Sequence, residues 1–294
     1  MTAAEAASGG RPRGALWLIG LPLVGVVYLL FHVIPRAKRI HLRFLPRARR
    51  VRRLLSDIET RSGWPRLLAM EELGALRERA AIPALVAMLD TAESQGAVDA
   101  LVNIGGASTE TLLALVRVGK DGSAEHAAWT ALARLNAEVP PELLVPALLS
   151  PHPQVEEAAR AILLTSRSPA VADALVLRLS VAEWAVRERA VQLLGQVGQP
   201  AVARELIPLL EDPYPHVRSA VIGALEKLRP PDLELLLQDR VRDDTEDWGI
   251  RVAGAMALGR VSGLSSLRSL AGHSAEVSDV VDEAATYLKS EGVA

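Results

Sequence analysis

A leucine returns at nearly constant intervals along most of this chain. Leu73, Leu101, Leu132, Leu163, Leu194, Leu225, Leu258 and Leu288 are separated by 28, 31, 31, 31, 31, 33 and 30 residues. A small residue usually stands four positions before each: Ala69, Ala97, Ala128, Ala159, Ala190, Gly254 and Ala284, with Val221 the exception. The fullest copy is Val186-Arg187-Glu188-Arg189-Ala190-Val191-Gln192-Leu193-Leu194-Gly195, an amphipathic helical stretch echoed at Val217-Arg218 and Ile250-Arg251. A fixed period near 31 is the signature of a stacked repeat array. No single unit of this size buries its apolar face alone, so neighbours must cover one another.

Each repeat reads as two helices. The first carries the leucine. In alternate repeats the second carries a proline: Ile82-Pro83-Ala84-Leu85-Val86, Val145-Pro146-Ala147-Leu148-Leu149 and Ile207-Pro208-Leu209-Leu210. Proline suits the first turn of a helix, where its missing N–H breaks no bond. Pro83, Pro146 and Pro208 are therefore expected to open second helices. Turn-forming clusters such as Ser150-Pro151-His152-Pro153, Glu211-Asp212-Pro213-Tyr214-Pro215 and Arg229-Pro230-Pro231-Asp232 separate the units. No alternating strand pattern occurs over 54–294.

The run from Asp212 to Val217-Arg218, then Leu225, preceded by Ile207-Pro208, resembles the HEAT repeat family in its short bacterial form, also called HEAT-like or PBS-lyase-type repeats. Residues 181–212 and 244–262 match nearly as well, and the resemblance extends over about 64–290. It implies an all-α solenoid of seven to eight two-helix HEAT-like repeats over 64–294. It also implies a ladder in which a loop Asp pairs with a helix Arg of a neighbouring unit: Asp212 with Arg187 or Arg218, and Asp243 or Asp247 with Arg251. The early units depart from the pattern. Glu93 and Ala124 stand in place of the Val, and Glu156 replaces the Arg after Val155, so repeats 2 to 4 are expected to pack less regularly. The last helix, Val277 to Leu288, mixes apolar positions with Asp279, Asp282 and Glu283 and reads as a polar cap.

The N-terminus differs in kind. Residues 1–13 are small and polar and read as a disordered tail. Residues 14–34, GALWLIGLPLVGVVYLLFHVI, carry no charge. At 1.5 Å per residue they span about 30 Å, the thickness of a bilayer core. Trp17 near one end, and Tyr28 and Phe31 near the other, suit the two interfaces. A cleaved signal peptide wants a shorter apolar run and a small-x-small exit, whereas this one leaves through His32-Val33-Ile34-Pro35-Arg36. A single transmembrane helix is expected.

Its flanks give the orientation. Arg11 and Arg13 precede the span, and Arg36, Lys38, Arg39, Arg43, Arg47, Arg49, Arg50, Arg52 and Arg53 follow it. The positive-inside rule then leaves the N-terminus outside and the repeats in the cytoplasm, on the inner (cytoplasmic) membrane of a bacterium. Residues 35–63 form a basic juxtamembrane stem. A helix from about Pro46 sets Val51, Leu54 and Leu55 on one face and arginines on the rest. Two readings of those nine cations stay open: contact with anionic lipid headgroups, or a topology signal and nothing more.

Net charge hides this division. The chain totals −2, but residues 1–53 hold eleven bases and one acid, which leaves 22 bases against 34 acids, a net of −12, for 54–294. So acidic a body repels nucleic-acid phosphates, and DNA or RNA binding is not expected. There is no cysteine, so disulfides, thiolate metal sites and cysteine nucleophiles are excluded.

Signs of chemistry are sparse. No Gly-x-Gly-x-x-Gly, Walker loop or Gly-x-Ser-x-Gly elbow occurs. His152 and His216 occupy similar loop positions before Val155 and Val217. A metal site needs three or four ligands, and a polar helix start is the plainer reading of both. No cofactor, metal or small-molecule substrate is expected. Trp184, Tyr214 and Trp248 each lie two or three residues before a repeat's Val/Ile-Arg, which aligns them along one ridge. They either staple their own helix starts or anchor a partner. The expectation is a non-enzymatic, membrane-anchored scaffold that binds protein, with a basic segment as the preferred ligand. The alternative is a HEAT-type lyase or metal-dependent enzyme, or a subunit assisting one, built on His152, His216 and nearby acids.

Overall fold

The computed structural model describes residues 46–119 and 122–293, and every regular element among them is helical. The tail 1–13, the apolar span 14–34 and stem residues 35–45 lie outside the described residues. Among the described residues no helix is long and apolar enough to cross a membrane. The chain divides into two compact units at Ser108/Thr109.

The first unit holds α1 (Arg47–Thr60), α2 (Trp64–Ala75), a 3-10 turn (Arg79–Ala81), α3 (Ile82–Ala87) and α4 (Ser94–Ile104). α2 and α4 carry Leu73 and Leu101 and pack side by side. α1 packs against α2, burying Leu54 and Ile58, while Val51 and Leu55 stay half-buried. Among the described residues the packed array thus already includes α1, inside the stretch expected to form a basic stem.

The second unit continues through α5 (Thr109–Val118), α6 (Ser123–Arg134), α7 (Pro141–Leu148), α8 (Pro153–Ser166), α9 (Pro169–Val176), α10 (Trp184–Val197), α11 (Ala203–Leu206), α12 (Pro215–Leu228), α13 (Leu233–Arg242), α14 (Trp248–Arg268) and α15 (Ala275–Ser290). α14 is two helices in line, broken where Gly263 takes φ 85°. Leucine-bearing helices stack in order: α6 on α8, α10 on α12, α12 on α14, and α14 on α15. The contact between α8 and α10 is much lighter, and an ion-pair cluster of Glu156 with Arg160 and Arg189 spans it.

All eight anchor leucines are fully buried. The glycines that follow three of them explain how closely the helices approach. A Cβ on Gly195 would lie 2.9 Å from the Ala224 Cα, and one on Gly74 the same distance from the Ala100 Cα. Ala224 and Ala100 are the residues just before the next anchors, Leu225 and Leu101. Side chains this small let backbone meet backbone, so the Leu-Gly pair is a contact device as well as a core residue.

Seven of the eight anchor helices also end in a similar way, the one carrying Leu258 being the exception. A residue with positive φ usually sits four places after the leucine: Arg77, Gly105, Asn136, Arg167, Gly198, Arg229 and Gly292. The chain reverses there, and the anchor's own carbonyl accepts a bond from the turn, as in Arg229 N–H to Leu225 O at 2.8 Å and Glu78 N–H to Leu73 O at 3.1 Å. This left-handed stop satisfies carbonyls that the helix end would otherwise orphan.

Two of the three proline expectations are corrected. Pro83 does open α3. Pro146 instead lies inside α7, which starts at Pro141 with Pro140 before it. The carbonyl that loses its donor to Pro146 belongs to Glu142, and both residues are exposed, so the proline falls on the solvent side of the helix. Pro208 opens a 3-10 segment, Ile207–Glu211, that follows α11 rather than starting it. The closing helix is longer than the expected 277–288. It buries Val277, Val280, Val281, Ala284, Ala285 and Leu288 and turns Asp279 and Asp282 outward.

Candidate functional site

The N-terminal ends of α10, α12, α14 and α15 lie on consecutive stacked helices and so form one edge of the second unit. A ladder of arginines runs beneath it. Arg187 donates from Nε and Nη2 to the two Asp212 carboxylate oxygens at 2.8 and 2.9 Å. Its Nη1 donates to the carbonyls of Val181 and Ala182, both at 2.8 Å. Arg218 repeats the grip one unit on, donating to Glu246 at 2.6–3.2 Å and to the Asp212 carbonyl at 2.7 Å. Asp212 thus serves both arginines, Arg187 through its carboxylate and Arg218 through its backbone. Arg240 extends the network to Glu211 and Glu246.

The electrostatics follow from this geometry. Burial by itself would raise the Asp212 carboxyl pKa. Hydrogen bonds from Arg187 and the Tyr214 N–H, with the charges of Arg187 and Arg218, outweigh it and hold the group below its ordinary value. The same bond raises the Arg187 guanidinium. Asp243 is lowered chiefly by the Thr245 hydroxyl.

The third rung differs from expectation. Arg251 does not hydrogen-bond to Asp243 or Asp247. It donates to the Val241 carbonyl at 3.1 Å and pairs with Glu276 at 3.4 Å. Asp247 is occupied as the N-cap of α14, accepting the Gly249 N–H at 2.9 Å. Asp243 closes an Asx turn onto Thr245. Short polar side chains in loops favour such local bonds.

The first unit contains a rung in different dress. Glu93, which departs from the repeat pattern, accepts the Gly63 N–H at 3.0 Å and pairs with Arg66 at 3.5 Å. That N–H lowers its pKa.

The three aromatics lie above the arginines. The rings of Trp184 and Tyr214 stack 5.9 Å apart, and the His216 ring lies 5.3 Å from Trp184 on a similar tilt. The Arg187 guanidinium stands 5.6 Å from the Tyr214 ring centre, and that of Arg251 6.0 Å from Trp248. The Trp248 indole N–H donates to Glu283 at 2.8 Å. Each aromatic therefore bridges to a neighbouring repeat. Tyr214 and Trp248 nonetheless keep 43% and 42% of their surface open, and Trp184 is half-buried. Exposed acids flank them at Glu183, Glu211, Asp244, Asp247 and Glu276, while the arginines beneath are largely covered.

The remaining candidates fall elsewhere. His152 is exposed just before α8, and His216 belongs to the aromatic stack. Among the described residues no group of three or more His, Asp or Glu side chains is arranged to hold a metal ion. In the basic helix, Arg50 turns inward to the buried Glu72, and Arg47 reaches the Leu76 carbonyl at 3.3 Å and Glu78 at 3.4 Å. Arg53 lies 3.6 Å from Asp57. Arg49 and Arg52 are exposed. Arg36, Lys38, Arg39 and Arg43 lie outside the described residues. Glu246 and Arg240 are members of the edge that the sequence pattern does not assign to it, and His216, expected as a loop histidine, and Glu283, expected as part of the cap, join them there. Only Glu246 left a signal: it follows Arg218 by nearly the interval that separates Arg187 from Asp212.

Residues 172–247 and 203–289 match the family model described as HEAT repeats, and these stretches contain the whole edge. No curated protein matches the chain in sequence. Among solved structures, one engineered protein is similar at 19% identity over 82% of this chain and 79% of its own, with a TM-score of 0.36. The complex of CpcE and CpcF of phycocyanin lyase from Nostoc sp. PCC7120 is similar at 21% identity over 79% of this chain and 93% of its own, with a TM-score of 0.30.

Proposed function

We propose that this chain is a non-enzymatic scaffold, anchored at the inner membrane by residues 14–34, whose HEAT repeats face the cytoplasm and bind a protein partner. The binding surface is the edge carrying Trp184, Tyr214 and Trp248, and the preferred ligand is an extended segment bearing Lys or Arg. One observation carries the reading: Tyr214 and Trp248, with 43% and 42% of their surface open, sit among exposed carboxylates above arginines that are already paired. Aromatic anchors rimmed by charge are the usual composition of an interface hot spot. A ligand cation meets the exposed carboxylates of Glu183 and Asp244 beside the half-exposed aromatic rings. Such binding weakens as salt rises.

The test uses the full chain and a double variant, Trp184→Ala with Trp248→Ala. Titration with a fluorescent Arg/Lys-rich peptide, and with its Gln-substituted counterpart, measures recognition. Binding of the basic peptide alone, lost in the variant while the unfolding midpoint holds, supports the proposal. Equal binding of both peptides, or none, rejects it. Unfolding of the variant assigns the aromatics to packing. A purified chain that carries a stoichiometric metal or pigment would instead support a lyase-like or metal-dependent role.

A further inference from the structure

We propose that the outer face of α1 docks on an anionic lipid surface, so that the first unit sits directly on the membrane. This rests on the anchored reading above and deepens it.

α1 has two working faces. Inward, Leu54 and Ile58 are buried against the first unit and Arg50 pairs with buried Glu72. These contacts fix the helix as part of the repeat array. Outward, Ala48, Arg49, Arg52, Arg53 and Ser56 are exposed. Between the faces runs a shallow groove of about 560 Å³ lined by Arg47, Ala48, Val51, Arg52, Leu55 and Glu78. Its floor is apolar and two guanidinium groups stand at its sides. That is the composition of an interfacial helix, with apolar side chains toward the acyl boundary and arginines among the phosphates.

Chain length makes lipid the fitting occupant. Only residues 35–46 separate Ile34 from α1. Twelve residues reach at most about 40 Å when fully extended, so α1 cannot leave the neighbourhood of the bilayer in which the span ends. Arg36, Lys38, Arg39 and Arg43 in that connection add four more cations to the sequence next to α1. Such tethering raises the local lipid concentration far above what a free helix meets. Glu59 is the exposed acid on α1, one turn beyond Leu55, and Glu78 is engaged by Arg47. Neither cancels the excess of cations.

The chain has no cysteine, so a single label can be placed cleanly. The full chain with Ser56→Cys, carrying a fluorophore, is reconstituted in nanodiscs of phosphatidylcholine alone or with phosphatidylglycerol, each containing a headgroup quencher. The expected result is quenching in anionic discs, its loss in neutral discs, and its loss when Arg49→Gln and Arg52→Gln are added. Equal signals in both discs, or quenching that survives the two substitutions, overturn the inference. A label that ignores lipid but responds to poly-glutamate also overturns it, by assigning the face to an acidic protein. A chain that does not co-elute with discs fails the anchored reading itself, whereas one that co-elutes unquenched fails only the docking of α1.

Discussion

Arg187 and Asp212 meet across a repeat boundary in a two-pronged pair, Nε to Oδ2 at 2.8 Å and Nη2 to Oδ1 at 2.9 Å. Both residues are buried, at 8% and 7% exposure. The remaining guanidinium nitrogen is taken by two backbone carbonyls. A pair so enclosed is costly to break from one side, because the survivor is left charged without a partner. Asp212→Ala is expected to lower stability by about 3–5 kcal/mol. Arg187→Met combined with Asp212→Leu should recover most of that loss. Urea unfolding of the four proteins measures both. Recovery no better than the sum of the single losses would mean that the pair is not a unit.

Acid should weaken the same rung. The folded Asp212 pKa lies below its ordinary value of 3.8. A depressed carboxylate pKa contributes stability that is fully present above the unfolded value. The contribution disappears as pH falls from 3.8 through the lower folded value. Asp212→Asn removes this component, so the difference in stability between wild type and variant should be constant near neutrality and shrink below pH 3.8. A difference independent of pH down to strong acid contradicts the assignment.

Two helical glycines should respond in opposite senses to alanine. At Gly195 the new Cβ would lie 2.8 Å from the Ala224 Cβ and 2.9 Å from its Cα, so the two helices must part. Overpacking of this kind costs about 1–3 kcal/mol. At Gly254 the nearest atom is the Arg240 Cβ at 3.5 Å, an ordinary contact. There the better helix propensity of alanine prevails, for a gain of about 0.5–1 kcal/mol. Thermal unfolding of Gly195→Ala and Gly254→Ala reads the contrast.

The left-handed stops offer a stabilising change. Arg229 holds φ 49° and ψ 59° while its side chain is exposed. Only its backbone conformation is at stake. Arg229→Gly relieves the steric penalty of a Cβ in this region and should add about 0.5–1 kcal/mol. Gly198 already occupies the equivalent place after Leu194, so Gly198→Arg should be destabilising by a similar amount. Denaturation midpoints of the reciprocal variants decide it.

The anchor leucines were readable because one residue type serves one purpose in every copy: it must fill the interior and nothing else. The stop four residues later is equally regular in space, yet its residue is Arg, Asn or Gly. Backbone conformation is tolerated by several side chains at modest cost, so no single letter marks it. Arg187 with Asp212 was legible from the loop-Asp, helix-Arg pattern. Arg218 with Glu246 was not, because a longer glutamate reaches the same guanidinium from another position. Arg251 then takes Glu276, since Asp247 caps its own helix. Glu93 shows the reverse case: a residue that breaks the apolar pattern turns out to hold Gly63 and Arg66. The aromatic row was visible from spacing, but its contact with the ladder arginines depends on helix crossings that spacing does not contain. Pro146 misled because a proline on an exposed helix face is tolerated several residues beyond the first turn.

The central claim is that the aromatic, acidic edge of the second unit is the surface this scaffold offers to a partner with a basic segment. Photo-crosslinking tests it directly. A crosslinking amino acid replaces exposed Ala185, beside Trp184, and in a separate protein exposed Thr245, three residues before Trp248. The full chain is captured from membranes and the joined peptides are sequenced. The account predicts that both positions join the same protein through a stretch rich in Lys or Arg, and that adduct yield falls with added salt and in the Trp184→Ala, Trp248→Ala background. Adducts to unrelated proteins without a basic stretch, or a yield unchanged by salt and by loss of the two tryptophans, would contradict it.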